Sequence, residues 1–389
     1  MIAYIDMQKK SKTYAFILGS HPDLSFLELE KILTPKNPGL RLKLQKNVAI
    51  LENTPTLDSS QLMEKLGGVV KIVEIIGEFE EEEVFNWLSS QINPASKFHF
   101  GFSLYRLDSE PKETDVKTLH RLGLTLKKTF KKEGISCRFV SAQSATLSSV
   151  IVHKERLLKN GVDVVLLKSK NQIIFGKTLA VQPFQKFSKR DYGRPRRDQK
   201  SGMLPPKIAR IMLNIASPQP SATILDPFCG SGTILTEALL LGYKNISGSD
   251  LNPKAIADTK QNLAWSNLPS IPLYLTDIKN LEEKIKKESI DCVVTEGYLG
   301  KPQPQNPQQE REQLTFFYQE VFANLKKILK PNACLVIALP AWRNQQKLLT
   351  LPLSQTLHKM GYQSFHAPLI YGRPWAVVVR HIYFLNYSK

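Results

Sequence analysis

An α/β chain of more than one domain is predicted by three features of the sequence. Its 389 residues exceed what a single ordinary core accommodates. From residue 222 onward, short apolar runs alternate with helical segments, the order that yields a parallel sheet with helices on both faces. Ahead of that, residues 14–76 read strand, helix, strand, strand, helix, strand, an α+β arrangement.

The first half-repeat is a strand at Tyr14 to Gly19, a helix from Asp23 to Leu33 with Leu24, Leu27 and Ile32 on one side, and a strand at Leu40 to Leu44. The second is Val48 to Leu51, Asp58 to Leu66 and Val69 to Ile76, and the two together predict a ferredoxin-like domain over residues 1–77. Residues 78–180 form a second α+β unit. The acidic run Glu80 to Glu83 precedes Val84, Phe85, Trp87 and Leu88 at helical spacing, which places it in a first helical turn rather than at an ion. A strand at Phe98 to Leu104, a basic amphipathic helix from Asp115 to Lys132, a strand at Ser136 to Val140 and a helix near His153 to Lys159 follow. A hairpin of Val162 to Lys168 with Gln172 to Thr178 closes the unit. Residues 181–202 read as a basic linker, and 203–389 as the α/β domain, ending in a hairpin of Ser364 to Ile370 with Ala376 to Leu385.

The chemistry is concentrated in Asp226-Pro227-Phe228-Cys229-Gly230-Ser231-Gly232-Thr233, which joins the strand Ala222 to Leu225 to the helix Ile234 to Leu241. A strand that ends in a carboxylate and turns on two glycines into a helix N-terminus lets a ligand approach the backbone. A dinucleotide site needs a third glycine where Leu235 stands, and a phosphate-binding Walker loop needs a lysine before the hydroxyl of Thr233. Asp226 would repel a pyrophosphate but could accept, directly or through water, from the ammonium of a zwitterion such as S-adenosylmethionine (SAM). Two more strands, Asn245 to Ser249 and Ile271 to Thr276, end at Asp250 and Asp277. With their neighbours Leu251 and Ile278, these are placed to meet a ribose and an adenine. A lone Gly-x-Gly is weak evidence and a lone Asp can be a helix cap; three strand-end acids along one sheet edge form a row of acceptors. Cys229 reads as a small packing residue.

The formal charge is +18, from 53 basic and 35 acidic residues, which points to a polyanionic partner. Lys186 to Arg210 holds nine Lys/Arg against two Asp, and Lys117 to Lys159 holds ten against two Glu. Generic cationic adhesion is the plain alternative. Cys137, Cys229, Cys292 and Cys334 are dispersed without metal or redox spacing, and the seven histidines are scattered, so no metal is expected. No run approaches the roughly 18 apolar residues of a membrane span, and Met1 to Lys12 lacks a signal-peptide core. A soluble, cytoplasmic protein is expected.

The octapeptide resembles motif I of class I SAM-dependent methyltransferases acting on amino groups of nucleobases. Residues 78–180 look like a THUMP domain, an RNA-binding module, preceded by its usual ferredoxin-like partner. The strings Leu18-Gly19-Ser20-His21-Pro22-Asp23-Leu24-Ser25 and Leu66-Gly67-Gly68-Val69-Val70-Lys71-Ile72 resemble the THUMP-containing tRNA guanine-N2 methyltransferases that modify the guanosine at tRNA position 10. The stretch Arg190-Asp191…Arg194-Pro195…Gly202-Met203-Leu204-Pro205-Pro206-Lys207 resembles the segment before motif I in that family.

This resemblance implies SAM as cofactor, held by Met203, Pro205, Asp226, Phe228, Gly230, Gly232, Thr233, Asp250, Leu251, Asp277 and Ile278. It implies tRNA as partner, with phosphate contacts from Arg190, Arg194, Arg196 and Arg197 and, on the basic helix, Lys127, Lys128 and Lys131. A monomer is expected, and the sequence implies no partner subunit. Relatives carry Asp/Asn-Pro-Pro-Tyr/Phe after the fourth strand, where oxygens accept from the target amine and the aromatic stacks on the base. This chain reads Thr295-Glu296-Gly297-Tyr298-Leu299-Gly300 there, so Glu296, Gly297 and Tyr298 are its catalytic candidates. Lacking the prolines, the loop is expected to lose rigidity, and a misplacement of about 1 Å can cost on the order of 100-fold in rate. Residues 301–309 are expected to form a mobile loop over the site. Trp265 and Trp342 could stack on a base or fill the core. Two alternatives follow: a methyltransferase for another nucleic-acid amine, such as adenine, or a catalytically degraded RNA-binding paralogue.

Overall fold

A computed structural model describes residues 11–34, 39–93, 96–197, 203–301, 304–344 and 347–388. The chain divides into two compact units, residues 1–186 and 187–389.

The first unit contains β1 (Lys12–Leu18), α1 (Pro22–Leu33), β2 (Leu42–Gln45), β3 (Val48–Thr54), α2 (Ser59–Lys65) and β4 (Val69–Glu78). It continues with α3 (Glu81–Ser90), β5 (Phe98–Arg106), α4 (Glu113–Lys132), β6 (Cys137–Val140), α5 (Ser149–Lys154), β7 (Gly161–Lys168) and β8 (Ile173–Val181). All eight strands lie in one sheet, in the order β2-β3-β1-β4-β8-β7-β5-β6. Its first four strands pair antiparallel in the split order of a ferredoxin-like unit. The boundary expected between residues 77 and 78 falls at the end of β4, whose antiparallel pairing with β8 makes one sheet of both halves.

That joint contains charges which sequence reading did not single out. Lys71 on β4 and Asp163 on β7 are fully buried and paired at 2.5 Å. Ser103 on β5 and Thr178 on β8 donate to the same carboxylate at 2.8 and 2.7 Å. A buried ion pair is tolerable when its remaining lone pairs are hydrogen-bonded in this way.

The helix expected at residues 153–159 begins and ends earlier. Ser148 accepts from the Ile151 N–H at the N-terminus of α5, and Arg156 takes a positive φ of 56° just beyond its end. On α4, Leu119, Leu122, Leu126 and Phe130 face the core, leaving Lys127, Lys128 and Lys131 exposed.

Helix α6 (Phe184–Tyr192) contains the boundary between the units. The second unit then has α7 (Pro206–Ala216), β9 (Ile224–Asp226), α8 (Thr233–Leu240), β10 (Ile246–Asp250), α9 (Pro253–Trp265), β11 (Leu273–Leu275) and a 3-10 turn (Ile278–Glu283). Next come β12 (Ile290–Glu296), α10 (Pro307–Ile328), β13 (Leu329–Asn344), β14 (Lys347–Thr350), α11 (Ser354–Lys359), β15 (Tyr362–Tyr371) and β16 (Val378–Tyr387). The sheet order is β11-β10-β9-β12-β13-β16-β15, with β14 paired to β13. Strands β9 to β13 are mutually parallel along this path, and β16 inserts antiparallel between β13 and β15, as the closing hairpin predicted. Reversal of strand order beside β9 puts a topological switch point at the carboxyl ends of β9 and β12.

Trp342 is fully buried in the core under α10, which decides for the packing reading of that residue. The loop expected over residues 301–309 is shorter than anticipated: Asn306 caps α10, which begins at Pro307, while Pro302 and Gln303 lie outside the described residues.

Candidate active site

Strand β9 ends in Asp226, and the chain then turns through Gly230 and Gly232 at φ 52° and 83° into α8. These are left-handed conformations that glycine adopts without strain. At Gly232 space is limiting as well, because a Cβ would meet Thr259 Cγ2 at 2.8 Å. At Gly230 a Cβ would meet nothing within 4 Å, so the outer side of the turn is open to a ligand.

Asp250, at the end of β10, faces this turn. One of its oxygens accepts the Gly230 N–H at 2.9 Å and the other the Asn252 N–H at 2.8 Å. Each oxygen retains a lone pair, so the carboxylate can still take ribose hydroxyls. Leu251 beside it is 68% exposed. Asp277 accepts from the Lys279 N–H, the helix-cap role foreseen for a lone Asp, and Ile278 is buried. The Phe228 ring packs toward Phe317 at 6.2 Å between centroids.

Asp226 is buried behind the glycine turn. It is 2% exposed, and one oxygen accepts from the Thr295 hydroxyl at 2.6 Å and from the Phe228 N–H at 3.3 Å. It therefore ties the glycine turn to β12 through one carboxylate oxygen. Burial, reinforced by the charges of Asp250 and Glu296 and opposed by these two hydrogen bonds, raises its pKa to about 7. Burial also pushes the Cys229 thiol far above its ordinary value, so Cys229 is a packing residue and not a nucleophile.

Thr295 is followed by Glu296, the last residue of β12, whose side chain is mostly buried. Glu296 accepts from Arg380 Nε on β16 and from the Leu204 backbone N–H. Burial raises its pKa while Arg380 pulls it down. The Arg380 guanidinium also lies 5.6 Å from the centre of the Tyr371 ring. The segment before α7 thus reaches both motifs, since Ser231 Oγ meets Met203 Sδ at 3.5 Å on the glycine turn. Pro205 precedes α7 as its N-cap.

The loop after Glu296 is held despite its missing prolines. The Gly297 N–H donates to the Ala338 carbonyl at 3.0 Å, and the buried Tyr318 hydroxyl donates to the Tyr298 carbonyl at 2.6 Å. Glu310 accepts the Lys301 N–H at 3.0 Å. The expected loss of rigidity is offset by α10, which brings Tyr318 and Glu310 under the loop. A Cβ at Gly297 would collide with that Tyr318 hydroxyl. Tyr298 is 56% exposed at the mouth of the site.

Four arginines were expected to contact phosphate, and the structure divides them. Arg190 is turned inward against Glu237 at 2.5 Å, which Arg210 also pairs at 2.7 Å. Arg194 is buried and donates to the Thr233 hydroxyl at 2.6 Å, so it supports the glycine turn from beneath. These two side chains are therefore withdrawn from a phosphate role by burial. Arg196 and Arg197 are exposed, Arg197 over the Tyr192 ring. Residues 198–202 of the linker, Gly202 among them, lie outside the described residues.

Arg380, Tyr371 and Tyr318 are the site residues that sequence reasoning did not assign. Leu204 lay within a string already noted; Arg380 is 84 positions from its partner and carries no local signal.

A sheet of this order, whose first strand feeds a glycine turn closed by the acid ending the second, is the fold of a class I methyltransferase. Residues 194–364 match the family described as RMKL-like, methyltransferase domain, and residues 75–261 match one described as DNA methylase. The chain is similar to the tRNA (guanine(10)-N2)-dimethyltransferase of Methanocaldococcus jannaschii, 26% identical over 83% of this chain and 89% of that protein. It is 33% identical to the protein of the same name from Methanothermobacter thermautotrophicus, over 25% of this chain and 28% of that one. Crystalline TrmN from Thermus thermophilus shares the fold with a TM-score of 0.58 and 17% identity, over 97% of this chain and 99% of that one. The protein is a SAM-dependent methyltransferase homologous to enzymes named tRNA (guanine(10)-N2)-dimethyltransferase.

Proposed function

We propose that this chain methylates the exocyclic amine of a guanosine in tRNA, at position 10, using SAM. The supporting observation is the meeting of the glycine turn, the Met203-Leu204 segment and Glu296 at one sheet edge, together with homologues named for that reaction. The open face at Gly230 and the carboxylate of Asp250 suit the cofactor, which supplies an electrophilic methyl group on a sulfonium. Asp277 and Ile278 would border its adenine, and Met203, Pro205, Phe228, Gly232 and Thr233 shape the cradle.

The guanine amine is a poor nucleophile because its lone pair is delocalised into the ring. Glu296 accepts an N–H of this amine, fixes its nitrogen toward the cofactor and takes up the proton released on transfer. Burial favours that protonation, and Arg380 orients the carboxylate. Tyr298 stacks on the base, its backbone steadied by Tyr318, and the Gly297 N–H fixes the loop on β13. Residues 78–180 act as a THUMP-like RNA-docking module following the ferredoxin-like residues 1–77; Lys127, Lys128 and Lys131 of that module contact phosphates, and so do Arg196 and Arg197 of the linker.

Transfer of tritiated methyl from SAM to unmodified tRNA, followed by mass spectrometry of the nucleosides, tests this reading. N2-methylguanosine is the expected product; methyladenine would instead support the second reading, which the DNA methylase match favours. Normal SAM binding with no methyl incorporated into any tRNA would support a non-catalytic RNA binder, with Arg380 permanently occupying the acceptor.

A further inference from the structure

We infer that the tip of the hairpin between β15 and β16 is a second base-binding site, at which Trp375 stacks on an unpaired RNA nucleotide close to the methylated one. The inference rests on the reading of the chain as an RNA methyltransferase and adds a contact that this reading does not include.

Trp375 is 76% exposed, the most open of the large hydrophobic side chains among the described residues. Trp342 is fully buried, and Trp265 is only partly exposed, with Lys189 5.5 Å from its ring. Exposure of an indole this complete leaves its flat apolar face in water, available to a stacking partner. The tip is nonetheless built: the Ala376 N–H donates to the Arg373 carbonyl at 3.0 Å, and Arg343 on β13 donates through Nη1 to the Pro374 carbonyl at 2.9 Å. The Arg343 N–H also donates to the Val377 carbonyl at 2.8 Å. Trp375 is thus presented on a braced turn, with the Arg373 guanidinium 5.9 Å from its ring centre.

Charge identifies the occupant. From Val321 to Lys389 the chain contains no Asp or Glu, while Arg343 reaches the Pro374 carbonyl of the tip and Arg373 lies at the Trp375 ring. An aromatic face flanked by cations suits a nucleobase with its phosphates, since bases stack on aromatic side chains irrespective of sequence. A cationic protein partner or a second copy of this basic chain would be repelled.

Position ties the tip to the chemistry. Tyr371 pairs with Arg380 in the β15–β16 ladder, and Arg380 holds Glu296. Trp375 is four residues beyond Tyr371, within about 14 Å even in a fully extended chain. The hairpin that holds Glu296 through Arg380 thus also presents Trp375, and stacking there would hold the RNA strand open on the side of the target.

The test compares Trp375→Ala and Trp375→Phe with the wild type in steady-state methylation of tRNA and in direct tRNA binding by fluorescence anisotropy. The alanine variant should raise KM and Kd for tRNA about tenfold, equivalent to 1.4 kcal/mol, with kcat and SAM affinity unchanged. Phenylalanine should restore most of the loss. Titration of the wild type with tRNA should quench indole fluorescence that the Phe variant lacks. Unchanged tRNA affinity in the alanine variant overturns the inference, as does a change confined to self-association in sedimentation. Should the wild type methylate no tRNA, the proposed reaction fails, and the anisotropy comparison alone still decides the role of Trp375.

Discussion

Replacing Asp226 by Asn isolates one charge at the joint between the glycine turn and β12. The amide oxygen can still accept from Thr295 and the Phe228 N–H, so the substitution removes ionisation and preserves shape. The carboxyl rises from 3.8 to about 7 on burial in the folded chain. Between those values the unfolded chain has lost the proton and the native chain retains it, so native stability falls as pH increases. The stability contributed by this group is fully present below pH 3.8 and is lost as pH climbs through about 7. At about 1.4 kcal/mol per pH unit this amounts to about 4 kcal/mol. Urea unfolding of wild type and Asp226→Asn at closely spaced pH values from 4 to 8.5 measures it. The variant should gain on the wild type continuously up to about pH 7 and level off above it. A difference between the two that does not vary with pH would refute the buried-carboxyl argument. Any constant offset from rearranged amide hydrogen bonds does not affect the test, and titrating groups other than the coupled Asp250 and Glu296 cancel in the difference.

Glu296→Ala should abolish methyl transfer while SAM and tRNA still bind, and single-turnover assays with separate binding titrations check this; retained turnover would remove Glu296 from the mechanism. Gly297→Ala should displace Tyr318 and with it Tyr298, lowering kcat on the order of 100-fold with SAM affinity retained, as measured by calorimetry. Lys71→Met strands Asp163 in the core and should destabilise the first unit by about 3–5 kcal/mol, seen as a lowered urea midpoint, with partial recovery when Asp163→Asn is added. Affinity for tRNA should fall steeply with added salt as counterion release weakens, and a flat salt dependence would contradict the basic-surface argument.

The methyltransferase half was legible because its signals are local. Strand, acid, two glycines and helix occur within one short stretch, and strand-end acids recur at Asp250 and Asp277. Periodicity likewise placed the strands of the ferredoxin-like half and the exposed lysines of α4, since alternation and helical spacing are properties of neighbouring residues. Boundaries moved where a single cap decided them, as at Ser148 and Asn306. The arginine linker illustrates the limit: its composition shows charge, but only packing reveals that Arg190 and Arg194 turn inward to Glu237 and Thr233 while Arg196 and Arg197 remain outside.

The sequence by itself determined the strand–turn–helix cradle, the alternating α/β order and the basic surface, because each is encoded in contiguous residues whose conformational and charge preferences act locally. Tertiary structure decided which groups confront one another: Asp226 with Thr295, Glu296 with Arg380, Lys71 with Asp163, Tyr318 beneath the loop that lacks prolines. Those pairings depend on strands and helices distant in the chain being packed at one sheet edge or one core. Burial at those contacts, rather than residue type, sets the protonation of Asp226 and Glu296.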